Sequence, residues 1–250
     1  MTTRDTTGLR AKADSLETAL SQRALVAAWA IIQWPWLLRS LRGGSRAEKA
    51  ALLKYLELPA DALPSLGSWK ADTALLGHIV RAVEELRPRE VVELGCGASS
   101  LILARALQRN GAGRLTSFDQ HRDFVAATRA WLAEYGLHAT MHEAPLVADP
   151  SRWGPLWYDL THLPATIDLL VIDGPPWAIN PFVRGRAEVL FTRIAPGGLV
   201  VLDDAARPGE RIVARRWRQD WPEFTWRFDN NGTKGTLIGR RKRQGATSLT

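Results

Sequence analysis

Apolar positions along the chain fall into short runs and longer periodic stretches, and the two predict different elements. Short runs closed by Gly, Pro or Asp occur at 90–94, 114–118, 138–142, 167–172 and 199–202, and each predicts a strand. The densest is Ile167–Ile172, IDLLVI, which has the composition of a strand buried on both faces. Helical spacing shows in Leu75, Leu76, Ile79, Val80, Val83 and Leu86, predicting a helix over about 72–86 that ends at Pro88. Leu101, Ile102, Leu103, Ala104, Ala106 and Leu107 predict a second, mostly buried helix, and further helices are expected over 121–135, 181–194 and up to about Trp217. Phe224–Asp229 and Thr236–Arg240 alternate and are joined by Asn230-Asn231-Gly232, which predicts a closing hairpin. Strands separated mostly by helices imply an α/β fold with a doubly wound, mainly parallel sheet, here seven-stranded with a terminal antiparallel hairpin.

The first 68 residues do not follow this alternation and are read as a helical N-terminal extension, followed by a core at 69–242 and a basic, polar tail at 243–250. Residues 24–38, ALVAAWAIIQWPWLL, are apolar nearly all round, with Gln33 the one polar residue and Pro35 interrupting the run. A run of 15 residues is short of the roughly 20 that cross a bilayer. Trp29, Trp34 and Trp36 between Arg23 and Arg39 suit packing on the chain's own core, a homodimer formed through these helices, or a peripheral membrane contact. A short helix is expected over 46–57, and 146–166 reads as a long irregular segment whose Trp153, Trp157 and Tyr158 cover the site or belong to the core.

Composition is that of a globular chain, 46% hydrophobic and 24% charged. The one cysteine, Cys96, excludes an intramolecular disulfide, and no cleavable signal peptide is evident; cytoplasmic localisation is the expectation, with the inner face of the membrane as the alternative. The net charge of +7 has a place: from Ala205 onward eleven Lys and Arg face four acids, eleven minus four being +7, so the rest is neutral. Such a region meets anionic partners or is simply a solvated face. No motif with interleaved aromatics is present, which argues against nucleic acid.

Chemistry gathers first at Glu93-Leu94-Gly95-Cys96-Gly97-Ala98-Ser99-Ser100. Two glycines let the backbone approach a ligand closely, and the following helix start offers free N–H groups. A dinucleotide fingerprint requires a third glycine, and Ser100 stands in that place. Glu93 would repel a pyrophosphate and attract an amino group. Asp119 follows Gly97 by 22 residues at the end of the next strand, where an acid binds a ribose diol or caps a helix. Asp173 closes the fourth strand, and Asp203 and Asp204 close the fifth. If those strands are neighbours the acids converge, and clustered carboxylates call for a cation or a proton between them.

In order, the glycine turn, Asp119, Asp173-Gly174, Pro196-Gly197-Gly198, Asp203-Asp204 and the final hairpin resemble class I S-adenosylmethionine-dependent methyltransferases over about 69–242. The layout of the acids is similar to that of catechol O-methyltransferase and related bacterial small-molecule O-methyltransferases. The resemblance implies a Rossmann-like methyltransferase fold with S-adenosyl-L-methionine as cofactor. It places Glu93, Gly95, Gly97, Ser100, Asp119, Glu143, Ala144 and Asp173 at the cofactor. It also implies O-methylation of a small molecule or glycan, with Asp173 and Asp203 catalytic and Mg²⁺ held by Asp173, Asp203 and Asp204. The chain departs from the catechol enzyme where Asp204 replaces an Asn, and where Pro176 stands in the place of a lysine, so no general base carries over. Arg184, Arg186 and Arg207 would meet an acidic substrate or solvent. The acceptor surface is expected in 1–68, 146–166 and 175–185. Two other classes remain open: a nucleotide-fold scaffold acting at a membrane or nucleic acid, and a nicotinamide oxidoreductase, against which Ser100, Glu93 and the hairpin count.

Overall fold

The structure, a computed structural model, describes residues 20–243; the first part of the predicted extension and nearly all of the predicted tail lie outside that range. Three helices come first: α1 (Leu20–Ser40), α2 (Arg46–Tyr55) and α3 (Thr73–Leu86). Then follow β1 (Glu90–Leu94), α4 (Ala98–Asn110), β2 (Arg114–Asp119), α5 (Arg122–Glu134) and β3 (Thr140–Glu143). The second half holds β4 (Leu146–Ser151), β5 (Gly154–Tyr158), β6 (Ile167–Ile172), β7 (Ile194–Leu202), α6 (Pro208–Asp220), β8 (Phe224–Asp229) and β9 (Thr236–Arg241).

Seven strands form one sheet in the order β3-β2-β1-β6-β7-β9-β8. β1 pairs in parallel with β2 and β6, and β6 with β7; β9 runs antiparallel to β7 and β8. The expected α/β fold and its closing hairpin are therefore present. Strand order reverses between β1 and β6, so their C-terminal ends open the crevice in which ligands of such sheets bind. Side chains alternate across the sheet. Val91, Leu169, Val171, Leu199 and Val201 pack toward α3 and α4, while Val92, Leu94, Leu170, Ile172, Val200 and Leu202 join Trp153, Phe191 and Trp217 on the other face. Leu53, Leu56 and Leu63, from α2 and the loop after it, share the first of these cores.

Four local expectations change. The segment read as irregular folds over 146–158 into the hairpin β4–β5, and its aromatics are core: Trp153, Trp157 and Tyr158 are buried. The hairpin is anchored to the segment before β7. Arg186 grips Asp149 through two hydrogen bonds of 2.6 and 2.9 Å, and Trp153 Nε1 donates to Glu188 at 2.8 Å. That segment, expected as an α-helix over 181–194, is a 3-10 helix at Val183–Arg193. Trp153 lies flat on its Gly185, where a Cβ would come within 2.3 Å of the indole. Pro196-Gly197-Gly198 does not precede β7 but lies inside it, where the β6–β7 register shifts.

Finally, α1 runs unbroken through Pro35. A proline inside a helix costs about 3 kcal/mol, but Pro35 is exposed and the helix is held by tertiary contacts. Trp29 meets Phe182 edge-on with ring centroids 5.0 Å apart, Asn180 donates to Gln22 at 3.1 Å, and Arg39 donates to the Gly232 carbonyl at 3.0 Å. Packing on its own core is thus what α1 does on one side, while Ile31, Ile32, Trp34 and Leu38 are exposed on the other. Among the described residues no helix is long and apolar enough to cross a membrane.

Candidate active site

The mouth of the sheet is assembled by backbone hydrogen bonds that carry the parallel pairing past the strand ends. Gly95 N donates to Phe118 O at 2.8 Å, Asp173 N to Leu94 O at 2.8 Å, and Asp203 N to Ile172 O at 3.0 Å. The turns after β1, β2, β6 and β7 are thereby locked side by side. Gly95 has φ +88°, and a Cβ on it would lie 2.8 Å from Gly174 N. Only glycine fits there, on both backbone and steric grounds.

On the β1–β2 side, carboxylates are held by neutral donors. Glu93 is buried, and Ser100 and Ser117 each donate a hydroxyl to its Oε2 at 2.6 Å. Gly97 N in turn donates to Ser100 Oγ at 2.9 Å, so Ser100, in the third-glycine position, ties Glu93 to the glycine turn. Glu93 Oε1 has no partner. Burial raises the Glu93 pKa to about 7 against the lowering effect of its serines. Asp119 accepts Cys96 N at 3.2 Å and His121 N at 2.9 Å. Burial lifts its pKa above the ordinary value too, against those two bonds. Asp119 is therefore an anchor between the glycine turn and the start of α5 as well as a candidate ligand group.

On the β6–β7 side the acids are held by cations. Asp173, Asp203 and Asp204 do converge, with one oxygen of each within 4.8 Å of the others. Arg184 reaches into them: Nη1 donates to Asp204 at 2.8 Å, Nη2 to Asp173 Oδ1 at 3.2 Å, and the guanidinium also bonds the carbonyls of Asp173, Pro175 and Asp203. Lys234 Nζ lies 3.2 Å from Asp203 Oδ2 and 3.4 Å from Asp204 Oδ1. Arg207 pairs with Asp204 and, at 3.6 Å, with Glu210. Burial would raise all these carboxylates. For Asp204 the charges of Arg207, Lys234 and Arg184 win and hold it below the ordinary value; Asp203, buried beside the Asp204 charge, is pushed well up.

Arg184 and Arg207 thus face neither solvent nor a free anion, and Arg186 belongs to the hairpin anchor. Asp203 is fully buried beside Asp173 and Asp204 and is paired with Lys234. Glu143 is exposed at the end of β3, opposite Asp119 in register, and Ala144 is buried with its N–H on the Asp119 carbonyl at 2.8 Å. Cys96 is a buried thiol beside Thr128, raised in pKa by burial, as expected of a space-filling residue.

One site residue, Lys234, escapes the sequence reading, and another, Tyr158, is read there only as covering the site or as core. Tyr158, at the end of β5, is buried with an unpartnered hydroxyl at Gly174, where a Cβ would come within 2.3 Å of it. Lys234 was hidden in the hairpin turn; the signal that could have found it is a lone lysine in a loop that must close over the acids of β7. A surface groove of about 480 Å³ lined by Glu90, Arg114, Thr116, Thr140 and His162 lies at the opposite, N-terminal ends of β1–β3, away from this chemistry.

Comparison with known proteins agrees with the geometry. Residues 92–205 match the family described as a methyltransferase domain. No curated protein matches the chain. Among solved structures, the S-adenosylhomocysteine-bound methyltransferase PaMTH1 of Podospora anserina superposes with TM-score 0.52 at 14% identity, covering 78% of this chain and 88% of that one. The O-methyltransferase TomG of Streptomyces achromogenes, in complex with S-adenosylmethionine, gives 0.51 at 16%, covering 90% and 100%. An O-methyltransferase of Bacillus cereus, with S-adenosylhomocysteine, gives 0.51 at 14%, covering 87% and 100%. At these identities the likeness is one of fold. The resemblance to methyltransferases read from the sequence is met by this family match over residues 92–205 and by the likeness of fold.

Proposed function

We propose that this chain, whose residues 92–205 match a family described as a methyltransferase domain, is an S-adenosylmethionine-dependent O-methyltransferase of a small molecule or glycan. The observation that carries the reading is the β1–β2 mouth. A glycine turn and a helix start stand between Asp119 and a buried Glu93 oxygen that lacks a partner. These residues fit the cofactor. Buried polar atoms are normally satisfied, and the free Glu93 Oε1 and Tyr158 hydroxyl are what a ligand carrying an amino group and further polar atoms would complete. Asp119 would take the ribose diol, Gly95 and Gly97 would admit the amino-acid end, and Glu143 and Ala144 would border the base.

Bound S-adenosylmethionine supplies an electrophilic methyl group. The chain's own part is to hold an acceptor hydroxyl in line and take its proton. Asp173 is the member of the acid cluster with a side chain still 13% exposed, and burial raises its pKa against the pull of Arg184 and Lys234. It is therefore reachable, unlike Asp203, and more basic than Asp204. Arg184 and Lys234 stay charged beside it, because the surrounding acids outweigh the cost of their burial.

A divalent ion at Asp173, Asp203 and Asp204 is supported by their convergence. The donor set does not fit one as it stands, because each carboxylate is already engaged by a buried Arg or Lys. No step is assigned to a metal.

The test is calorimetric titration of S-adenosylhomocysteine into the full chain and into Asp119→Ala. Micromolar binding, weakened at least tenfold in the folded variant, is expected. No binding by the folded wild-type chain would overturn the reading.

A further inference from the structure

We propose that Arg184 and Lys234 are the resident cations of this site, standing where a divalent ion would sit among Asp173, Asp203 and Asp204, so that the chain works without a metal. The inference deepens the methyltransferase reading and rests on it for its functional meaning, though not for its structural content.

Charge balance is the first argument. Four acids, Asp173, Asp203, Asp204 and Glu210, meet three cations, Arg184, Arg207 and Lys234, so the cluster is already close to neutral. A divalent ion added to that set would make it net positive in a buried place. Buried unbalanced charge is among the costliest arrangements a protein can adopt. Coordination is the second. Magnesium demands near-octahedral oxygen ligation and keeps several waters. Asp203 and Asp204 have no exposed surface from which such waters could reach them. An ion there would lie against the guanidinium of Arg184 and the ammonium of Lys234, and both would repel it.

The third argument is that both cations are positioned by dedicated structure. The guanidinium of Arg184 has five acceptors around it, two carboxylates and three carbonyls, which matches its five N–H groups. The backbone at Lys234 is clamped from two sides. Asp72, buried at the start of α3, accepts Thr233 N at 2.7 Å and Lys234 N at 3.2 Å. Ala206 N donates to Lys234 O at 3.0 Å, and Ala205 N to Gly235 O at 2.9 Å. Asp72 is itself fixed as the N-cap of α3, accepting Leu75 N at 2.9 Å. A lysine delivered to this depth by two hydrogen-bonded loops is part of the design of the site, and its ammonium is a permanent point charge behind Asp173.

The functional content follows. A metal in such a site would bind two acceptor oxygens directly; a guanidinium with all its donors engaged and a buried ammonium cannot. They act as positioning residues that hold Asp173 and the acid floor in place, and the acceptor is met by one carboxylate. The site therefore takes an acceptor with a single hydroxyl to be methylated and has no requirement for a chelating, vicinal diol.

The experiment is a titration of Mn²⁺ into the full chain, with and without S-adenosylhomocysteine, read by the loss of the free-ion resonance signal and by thermal unfolding. The wild-type chain is expected to leave the Mn²⁺ signal unchanged to millimolar concentration and to show no shift in unfolding temperature. Mg²⁺ is expected to change S-adenosylhomocysteine affinity by less than twofold. Arg184→Ala and Lys234→Met, which leave the acids in excess, are expected to unfold at lower temperature and to regain part of the loss with Mn²⁺. Either variant suffices if the other does not fold. Stoichiometric Mn²⁺ binding by the wild-type chain, lost in Asp173→Asn, would overturn the proposal. Failure to bind S-adenosylhomocysteine would overturn the methyltransferase reading instead, and the Mn²⁺ arm would still be read.

Discussion

The two halves of the sheet mouth use the same residue types in opposite ways. At β1–β2, Glu93 and Asp119 are held by hydroxyls and backbone N–H groups, and Glu93 keeps one oxygen without a partner. At β6–β7, Asp173, Asp203 and Asp204 are each engaged by a charged side chain brought from another element. The first half is polar and incomplete, as a ligand site should be. The second is charged, its acids and cations paired with one another, although Asp203 Oδ1, Asp204 Oδ1 and Arg207 Nη1 have no hydrogen-bond partner. Acids at the ends of neighbouring strands thus become ligand groups or framework according to what the adjacent loops deliver.

The comparison breaks most visibly at Asp204. Asp204→Ala removes the acid shared by Arg184, Arg207 and Lys234 and leaves buried cations uncompensated. A loss of about 3–5 kcal/mol is expected, measured by urea unfolding; a loss below about 1 kcal/mol would mean that the β6–β7 half is not a locked cluster.

On the other side the effect depends on pH. Glu93 has a folded pKa of about 7 against an ordinary 4.5, so the folded chain keeps a proton there that the unfolded chain releases. Stability from this group is present at low pH and is lost as pH rises from about 4.5 to about 7, by roughly 3 kcal/mol at most. Glu210, also raised to about 7 by burial, acts in the same direction. The informative quantity is therefore the difference between Glu93→Gln and wild type, which should move in favour of the variant between pH 5 and pH 8. A difference that does not change with pH would show that Glu93 is not held protonated.

The smallest effect is expected where the halves meet. Tyr158→Phe removes a buried hydroxyl with no partner, so stability should stay within about 1 kcal/mol of wild type or rise. A loss above about 2 kcal/mol in thermal unfolding would reveal a bond that binds the hairpin to the site.

Much of the fold was legible because strand and helix periods are local. Ile167–Ile172 reads as a doubly buried strand and is one, and the Gly95–Gly97 turn announces itself by residue type. What failed to show were elements made by contacts between distant segments. The hairpin β4–β5 has a weak alternation of its own and depends on Trp153 meeting Gly185 and on Arg186 meeting Asp149. The 3-10 helix before β7 has enough helical spacing to suggest an α-helix. Pro35 looks like an interruption when the packing of Trp29 on Phe182 is out of view.

For the site, the sequence by itself determined which acids end which strands, so that Asp173, Asp203 and Asp204 converge if β6 and β7 are neighbours, as the structure has them. That follows from one residue type recurring at strand ends in a parallel sheet. Only the tertiary structure decided what lies between them. Arg184 comes from a 3-10 segment 19 residues before Asp203, and Lys234 from a hairpin loop 30 residues after Asp204. No pattern short enough to read along the chain links such partners. Their charges find one another because burial without a partner would cost more than the ordering of both loops.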